Sequence, residues 1–476
     1  MNTKNPGKEQ PTRRDFLGKA MGTVATASLV APAMTSKAKA APRATVTGRI
    51  LGANDRINIG IIGCGMQYLG LMQRAFRRRK SEKDDFEYLM VCDVWEPRAK
   101  NAQEQTKALK TTRDYREVIN NPEIDGVVIV VPDHWHFQMA KEACEAGKDV
   151  YLEKPMTYTI EEAAQLNDIV NNTQRILQVG GSGPAERLNW QIHEYLSSGK
   201  MGKILWGLIS YNRNTREGMW DYPIPGIGGT PWPDAEVSDA NLDWEMWLGP
   251  APKRPYSAER YFRWRKYWDY SGGNATDLLY HRLGTMSTMI GFDFPTRATG
   301  AGGIYVQKNR EVPDVFMTMV EYPGDYSINM ISCMANSTSA PLTVYGNWGT
   351  LEVLRGSAPA GDSMGDQSRA PRQRMRQYAS IKAERTFRQE FEEANNGQME
   401  VTIEPEEGKD LVDDWLDCMR TRQKPVYDVL KGYQVMVAIK MGVESYRQGK
   451  VMGFDPATRR VVEDLPARET YLPSGA

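Results

Sequence analysis

At 476 residues the chain is longer than one hydrophobic core ordinarily serves, so two domains with extensions are expected. Hydrophobic residues make up 41% and charged residues 25%, the balance of a globular protein. The 60 basic residues cancel 60 acidic ones, so no basic field points to nucleic acid. Five cysteines (Cys64, Cys92, Cys144, Cys333 and Cys418) are scattered without a CxxC pair, which argues against a disulfide framework and against a zinc site.

The first forty residues differ from the rest, holding seven basic and two acidic side chains. Thr12-Arg13-Arg14-Asp15-Phe16-Leu17-Gly18-Lys19 follows the twin-arginine pattern. A mildly apolar stretch over 20–34 and the small-x-small site Ala38-Lys39-Ala40 come next. In that order they predict a signal peptide over 1–40, read by the twin-arginine translocation machinery, and a linker over 41–55. The mature protein is then periplasmic or secreted, exported already folded. The stretch is too short and too polar for a stable membrane span.

From residue 56 the pattern alternates. A β-rich run, 56–62, enters Gly63-Cys64-Gly65-Met66-Gln67-Tyr68. The first glycine permits a tight turn, and the second lets the backbone approach a pyrophosphate at the coming helix N-terminus. Tyr68 stands where a third glycine is usual, so the fingerprint is imperfect. A second strand over 86–92 ends at Asp93, which is placed to bond a ribose 2′-hydroxyl rather than to cap a helix. That favours NAD over NADP, with Arg98 near enough to accommodate a phosphate. The spacing between glycines and acid exceeds the usual twenty or so residues, and a charged insert over 77–85 accounts for it.

A short helix is expected over 115–119. The unbroken Val/Ile run 126–131 reads as a buried strand opening into Pro132-Asp133-His134-Trp135-His136. His134 and His136 have H-x-H spacing without a third nearby ligand, so no metal is expected; one histidine should line a cleft. The run 149–152 leads into Glu153-Lys154-Pro155. Proline fixes its own φ and biases Lys154 away from helix, so the lysine can project from a strand end into a cleft. A helix over 160–171 and a strand over 176–179 complete a doubly wound dinucleotide-binding domain, 56–181.

The second domain, 182–476, opens with a helix over 185–198 and a strand over 204–211. A Pro/Gly/Trp-rich passage, 217–256, reads as an ordered loop. Trp220, Trp232 and Trp268 are weak candidates for stacking on a sugar ring, since most tryptophans simply pack. Gly272-Gly273-Asn274-Ala275-Thr276-Asp277-Leu278-Leu279-Tyr280-His281 is the second constellation. A helix beginning near Thr276 would put Asp277 and His281 on one face. His281 could then take a proton from a substrate hydroxyl while Asp277 orients it or raises its pKa. A surface Asp–His pair is an equally common use of that spacing.

Taken together, Gly63-Cys64-Gly65, Asp93, the 132–136 motif, Glu153-Lys154-Pro155 and Gly272-Gly273 followed by Asp277 and His281 resemble the Gfo/Idh/MocA family. The resemblance spans roughly 56–454. It implies a Rossmann domain followed by a C-terminal α/β domain with a large, mostly antiparallel sheet. It implies Lys154, Asp277 and His281 as catalytic residues. Gly63, Cys64, Gly65, Met66, Gln67, Asp93, Pro132, His134, His136, Glu153 and Lys154 are then the residues at the cofactor, NAD or NADP. Family members act mainly on secondary alcohols of sugars, cyclitols and their derivatives, and a homo-oligomer joined through the broad sheet is expected. An exported enzyme would have to hold its cofactor tightly, with a second substrate regenerating it. One alternative is an NAD-dependent glycosidase of the α-N-acetylgalactosaminidase type, which oxidises its sugar transiently and breaks the bond by elimination. The other is a non-catalytic sugar-binding protein on the same fold. Downstream, strands are expected over 315–322 and 326–334 around Pro323-Gly324, and over 342–345 and 350–354. Residues 356–396 read as a polar insertion, and 411–420 and 432–447 as closing helices.

Overall fold

The computed structural model describes residues 56–181, 183–221, 241–355, 377–463 and 465. The twin-arginine motif, the cleavage site, the linker, Trp232 and residues 356–376 of the expected insertion lie outside them.

Six parallel strands form the first sheet: β1 (Ile57–Ile62), β2 (Phe86–Cys92), β3 (Lys110–Thr112), β4 (Gly126–Ile129), β5 (Asp149–Leu152) and β6 (Leu177–Val179). Their order is β3-β2-β1-β4-β5-β6, so the winding reverses between β1 and β4. That reversal opens a crevice at the carboxyl ends of the strands, where open α/β sheets bind ligands. Every residue of β4 and β5 is buried, as the unbroken apolar runs required of strands covered on both faces. The charged stretch 77–85 is no separate insert. Most of it is the end of the helix Gln73–Lys83, where buried Arg79 pairs with Asp85 and with Asp417 at 2.8 Å.

The second sheet has ten strands. They are β7 (Ile204–Ser210), β8 (Arg297–Gly303), β9 (Val315–Tyr322), β10 (Tyr326–Cys333), β11 (Leu342–Gly346), β12 (Gly349–Arg355), β13 (Gln377–Ala383), β14 (Glu400–Ile403), β15 (Met452–Asp455) and β16 (Arg460–Val462). Their order is β14-β13-β12-β11-β7-β10-β9-β8-β15-β16, antiparallel except where β7 meets β10. The Pro323-Gly324 signal marks the β9–β10 turn. Residues 377–396, expected to be insertion, instead supply β13 and the helix Arg388–Ala394. Ala379 and Ile381 on β13 are fully buried, so two small apolar contributions fix a strand that its polar neighbours concealed.

The helix Val429–Gln448 binds the two domains together. It lies against β8 so closely that a Cβ on Gly300 would sit 2.2 Å from the Gly442 carbonyl oxygen, whereas Gly302 is required by β9, where its Cβ would lie 2.0 Å from the Val315 carbonyl oxygen. On its other side a Cβ at Gly432 would meet Met156 and Val179 of the first domain at 2.8 Å. The helix Leu411–Thr421 also crosses back. Trp415 and Met419 lie within 2.9 Å of where a Gly126 Cβ would stand, and the Trp415 ring meets Tyr151 edge-on at 5.9 Å. These two helices therefore pack the second domain onto the first.

Candidate active site

One cavity of 1470 Å³ runs from the glycine turn to the second domain. It is lined by Gly63, Gly65, Met66, Gln67, Asp93, Pro132, Glu153, Lys154, Asp277 and His281, among others. Cys64, His134 and His136 do not line it.

The turn after β1 is built to admit backbone and nothing else. Gly63 has φ +90, and a Cβ there would lie 2.1 Å from the Val130 carbonyl oxygen, so no L side chain fits. A Cβ on Gly65 would meet only the Arg98 Nη1, at 3.9 Å, which leaves its backbone open to a ligand. The chain then winds as a π-helix over Gln67–Met72. Tyr68, in the place of the third glycine, is fully buried there against Phe76, with ring centroids 6.3 Å apart. The wider π turn makes room for a ring where a glycine normally allows close helix packing, and such turns are frequent at functional sites.

Asp93 closes the turn from the end of β2. Its Oδ2 accepts the Cys64 N–H at 2.8 Å and its Oδ1 accepts the Trp95 N–H at 2.9 Å. Burial raises its pKa, and Arg98 and the two N–H groups work against that. The carboxylate thus braces the glycine turn as well as facing the cavity, and each oxygen keeps a lone pair for a ribose hydroxyl. Arg98 is held over the rings of Trp95, Tyr261 and Phe262, at 5.1, 5.5 and 5.8 Å. A tight glycine cradle, open backbone and an acid at the end of β2 together fit a dinucleotide.

Lys154 follows the buried strand β5, and the Lys154–Pro155 peptide is cis. Its ammonium donates to the Asp277 Oδ1 at 2.9 Å and to the Asp277 carbonyl at 2.8 Å. The lysine and aspartate side chains are 8% and 13% exposed. An ammonium has three hydrogens, so one remains to meet a substrate oxygen. Glu153 ties the motif to the glycine turn, accepting from Gln67 Nε2 at 3.3 Å and from the Lys154 N–H at 3.0 Å.

The second constellation differs from its expected form. Residues Ala275–Leu279 wind as a π-helix before the α-helix Tyr280–Ile290 begins, so the i,i+4 geometry of a regular helix does not hold. No hydrogen bond joins Asp277 to His281. Asp277 instead accepts from Lys154 and from Arg265 Nε at 3.0 Å. Burial would raise the Asp277 carboxyl, but the Lys154 ammonium and Arg265 guanidinium outweigh it and hold the pKa far below the usual carboxylate range. Nor is the histidine pKa raised. Desolvation in the cleft, then the Lys154 ammonium, lower His281 to about 3. The imidazole stands neutral beside a cation, able to accept a proton.

Both histidines of the 132–136 motif are buried in the helix Asp133–Glu145. His134 Nε2 lies 3.1 Å from the Trp247 carbonyl, with its ring against Trp247 and Tyr270. His136 faces the carbonyls of Pro155 and, at 2.9 Å, Val131. They clamp the walls and do not line this cavity, contrary to the expectation that one would; the loop aromatics packed against His134 are distant in sequence. Among the described residues no group of three or more His, Cys, Asp or Glu is arranged to hold a metal ion.

Several contributors carried no local signal. Arg265 reaches Asp277 from a short 3-10 turn, Trp264–Lys266, with its guanidinium 4.1 Å over the Trp264 ring. Thr276 Oγ1 donates to the buried Asp133 Oδ2 at 3.0 Å, joining the two motifs. Of the sugar-stacking candidates, Trp220 lines the cavity but is 5% exposed, and Trp268 does not line it.

Comparison with known proteins identifies the frame. Residues 57–181 match the model described as oxidoreductase family, NAD-binding Rossmann fold, and 252–454 match that family's C-terminal alpha/beta domain. The chain belongs to the Gfo/Idh/MocA oxidoreductase family. It is an enzyme of that family, and its cofactor is NAD. It is 28% identical over 323 residues to glycosyl hydrolase family 109 protein 2 of Shewanella sp. (strain ANA-3), covering 60% of this chain and 69% of that one. The fold is similar to aldose-aldose oxidoreductase from Caulobacter crescentus, complexed with glycerol (TM-score 0.58, 16% identity, 84% of this chain and 100% of that one). It is also similar to the WlbA dehydrogenase from Bordetella pertussis in complex with NADH and UDP-GlcNAcA (TM-score 0.57, 15% identity, 84% and 99%).

Proposed function

We propose that this Gfo/Idh/MocA enzyme oxidises or reduces a secondary carbinol on the ring of a sugar, glycoside or cyclitol. The observation that carries the reading is the Lys154–Asp277 pair beside neutral His281, in one cavity with the Gly63–Gly65 turn. Bound NAD supplies hydride transfer at the substrate carbon. Lys154 uses its third hydrogen to hold the oxygen that changes between hydroxyl and carbonyl. His281 receives or returns the hydroxyl proton. Asp277 and Arg265 keep Lys154 pointed into the cleft, and the Asp133–Thr276 bond keeps the two domains in register around it.

The resemblance to a glycosyl hydrolase family 109 protein favours a second reading. In it the same oxidation is transient and the glycosidic bond breaks by elimination. Aryl glycosides separate the two: net cofactor reduction without aglycone release supports the dehydrogenase, and aglycone release with no net change in cofactor supports the glycosidase. Neither event with any sugar, glycoside or cyclitol would leave the non-catalytic binding protein.

The twin-arginine motif motivates a further part of the proposal: the enzyme leaves the cytoplasm folded, with NAD already bound and recycled by a second substrate. Residues 1–40 removed from protein recovered outside the cytoplasm would support this; an intact N-terminus on cytoplasmic protein would count against it.

A further inference from the structure

Beyond His281 the cavity wall turns strongly basic. Tyr211, Arg213, Arg282 and Arg355 all line it. The Arg213 and Arg282 guanidiniums lie 4.7 and 4.9 Å from the centroid of the same ring, Tyr211. Arg213 also donates to the Tyr211 hydroxyl. Arg355 stands at the end of β12.

Among the described residues these three arginines have no counter-charge. Arg265, by contrast, is paired with Asp277 at 3.0 Å. Among the described residues no carboxylate forms an ion pair with Arg213, Arg282 or Arg355. The Nε of Arg282 is buried and has no hydrogen-bond partner. Of the acids lining the same cavity, Asp277 is committed to Lys154 and Arg265 and Glu153 to Gln67 and its own turn, and Glu186 and Glu407 form no ion pair with the three arginines. Desolvation, and then the charges of Arg355 and Arg213 against the help of Tyr211, lower the pKa of Arg282. Arg213 and Arg355 are exposed, but half-buried Arg282 is costly to hold beside two like charges unless something negative enters, and planar guanidinium forks match oxyanions two bonds at a time.

We infer that the sugar this enzyme takes carries an oxyanion, a carboxylate or a sulfate or phosphate ester, which Arg213, Arg282 and Arg355 bind beside the reacting carbon. The inference rests on the proposed sugar-binding cleft but not on the redox step. It gives the cluster a second effect. Arg213 and Arg282 help depress His281, so an anion seated between them makes His281 a stronger base once substrate is bound.

Binding is the direct test. NAD-loaded protein is titrated calorimetrically, at constant ionic strength, with methyl glucuronide, glucose 6-sulfate, glucose 6-phosphate and their neutral parents. At least one acidic sugar should bind about tenfold or more tighter than its parent. Arg282→Gln and Arg213→Gln should each remove about tenfold of that preference while leaving the neutral parent unchanged. Arg213 is exposed, so its variant reports even if Arg282→Gln folds poorly. The arm that responds separates carboxylate from ester. Equal binding of acidic and neutral sugars, no binding of any acidic sugar, or a preference that survives both substitutions would overturn the inference. Arginine-dependent binding without cofactor reduction would sustain it while defeating the dehydrogenase reading. Reduction by neutral sugars alone would do the reverse.

Discussion

Replacing Asp277 with asparagine removes one charge from between two cations. The carboxylate lies 2.9 Å from Lys154 and 3.0 Å from Arg265, with the Lys154 and Asp277 side chains 8% and 13% exposed. At an effective dielectric of about 20, each contact is worth roughly 5 kcal/mol before desolvation is subtracted. Truncating one partner of a buried pair typically costs about 3–5 kcal/mol, because the other charge stays behind uncompensated. Asparagine keeps the volume and one acceptor oxygen, so Asp277→Asn should cost about 3 kcal/mol in urea unfolding at neutral pH. The sign with pH follows from the depressed pKa. The folded carboxylate stays ionised while the unfolded one takes a proton near pH 4, so the contribution is full above about pH 4 and declines below it. The variant should therefore approach the wild type as acid is added. Lys154→Met combined with Asp277→Asn should recover part of the stability, since the lysine charge leaves with the carboxylate while Arg265 stays behind, but none of the activity. A single variant within about 0.5 kcal/mol of wild type, or a double variant less stable than the single, would refute this reasoning.

Other expectations are equally direct. His281→Gln should lower kcat by about 10²- to 10⁴-fold with the fold intact. Wild-type stability should fall as pH drops from about 6.5 towards 3, because the unfolded imidazole binds a proton that the folded one refuses. His281→Gln should flatten that slope by up to about 1.4 kcal/mol per pH unit, and parallel slopes would contradict the lowered pKa. Gly63→Ala forces a Cβ to 2.1 Å from a carbonyl oxygen at φ +90, so the purified variant should hold no NAD. Asp93→Asn can accept only one of the two backbone N–H bonds well, and NAD affinity should fall about tenfold or more. Arg13 and Arg14 changed together to lysine should leave the protein in the cytoplasm, seen by fractionation.

The first domain was legible because its signals are local. Unbroken Val and Ile runs fixed β4 and β5, a glycine fixed the turn after β1, and a proline marked Lys154. The β9–β10 hairpin announced itself through Pro323-Gly324. What could not be read was decided by distant chain. β8 carries a glycine at 300 because the helix Val429–Gln448 leaves no room for a side chain, and one at 302 because β9 leaves none either. His134 looks like a cleft residue until Trp247 and Tyr270 close over it. Asp277 looked like the partner of His281, but a π turn and the arrival of Arg265 gave it to Lys154 instead. The arginines around Tyr211 come from β12, a helix and the residues after β7, so no spacing in the sequence connects them.

The most direct test of the hydride reading follows a label. Purified protein is incubated with sugars deuterated on their ring carbons, then denatured, and its released nicotinamide is weighed by mass spectrometry. One equivalent of NAD per chain is expected, with deuterium appearing on the nicotinamide for the sugar the enzyme accepts. NAD that stays unlabelled across acidic and neutral sugars and glycosides alike would contradict net hydride transfer to NAD in this cleft.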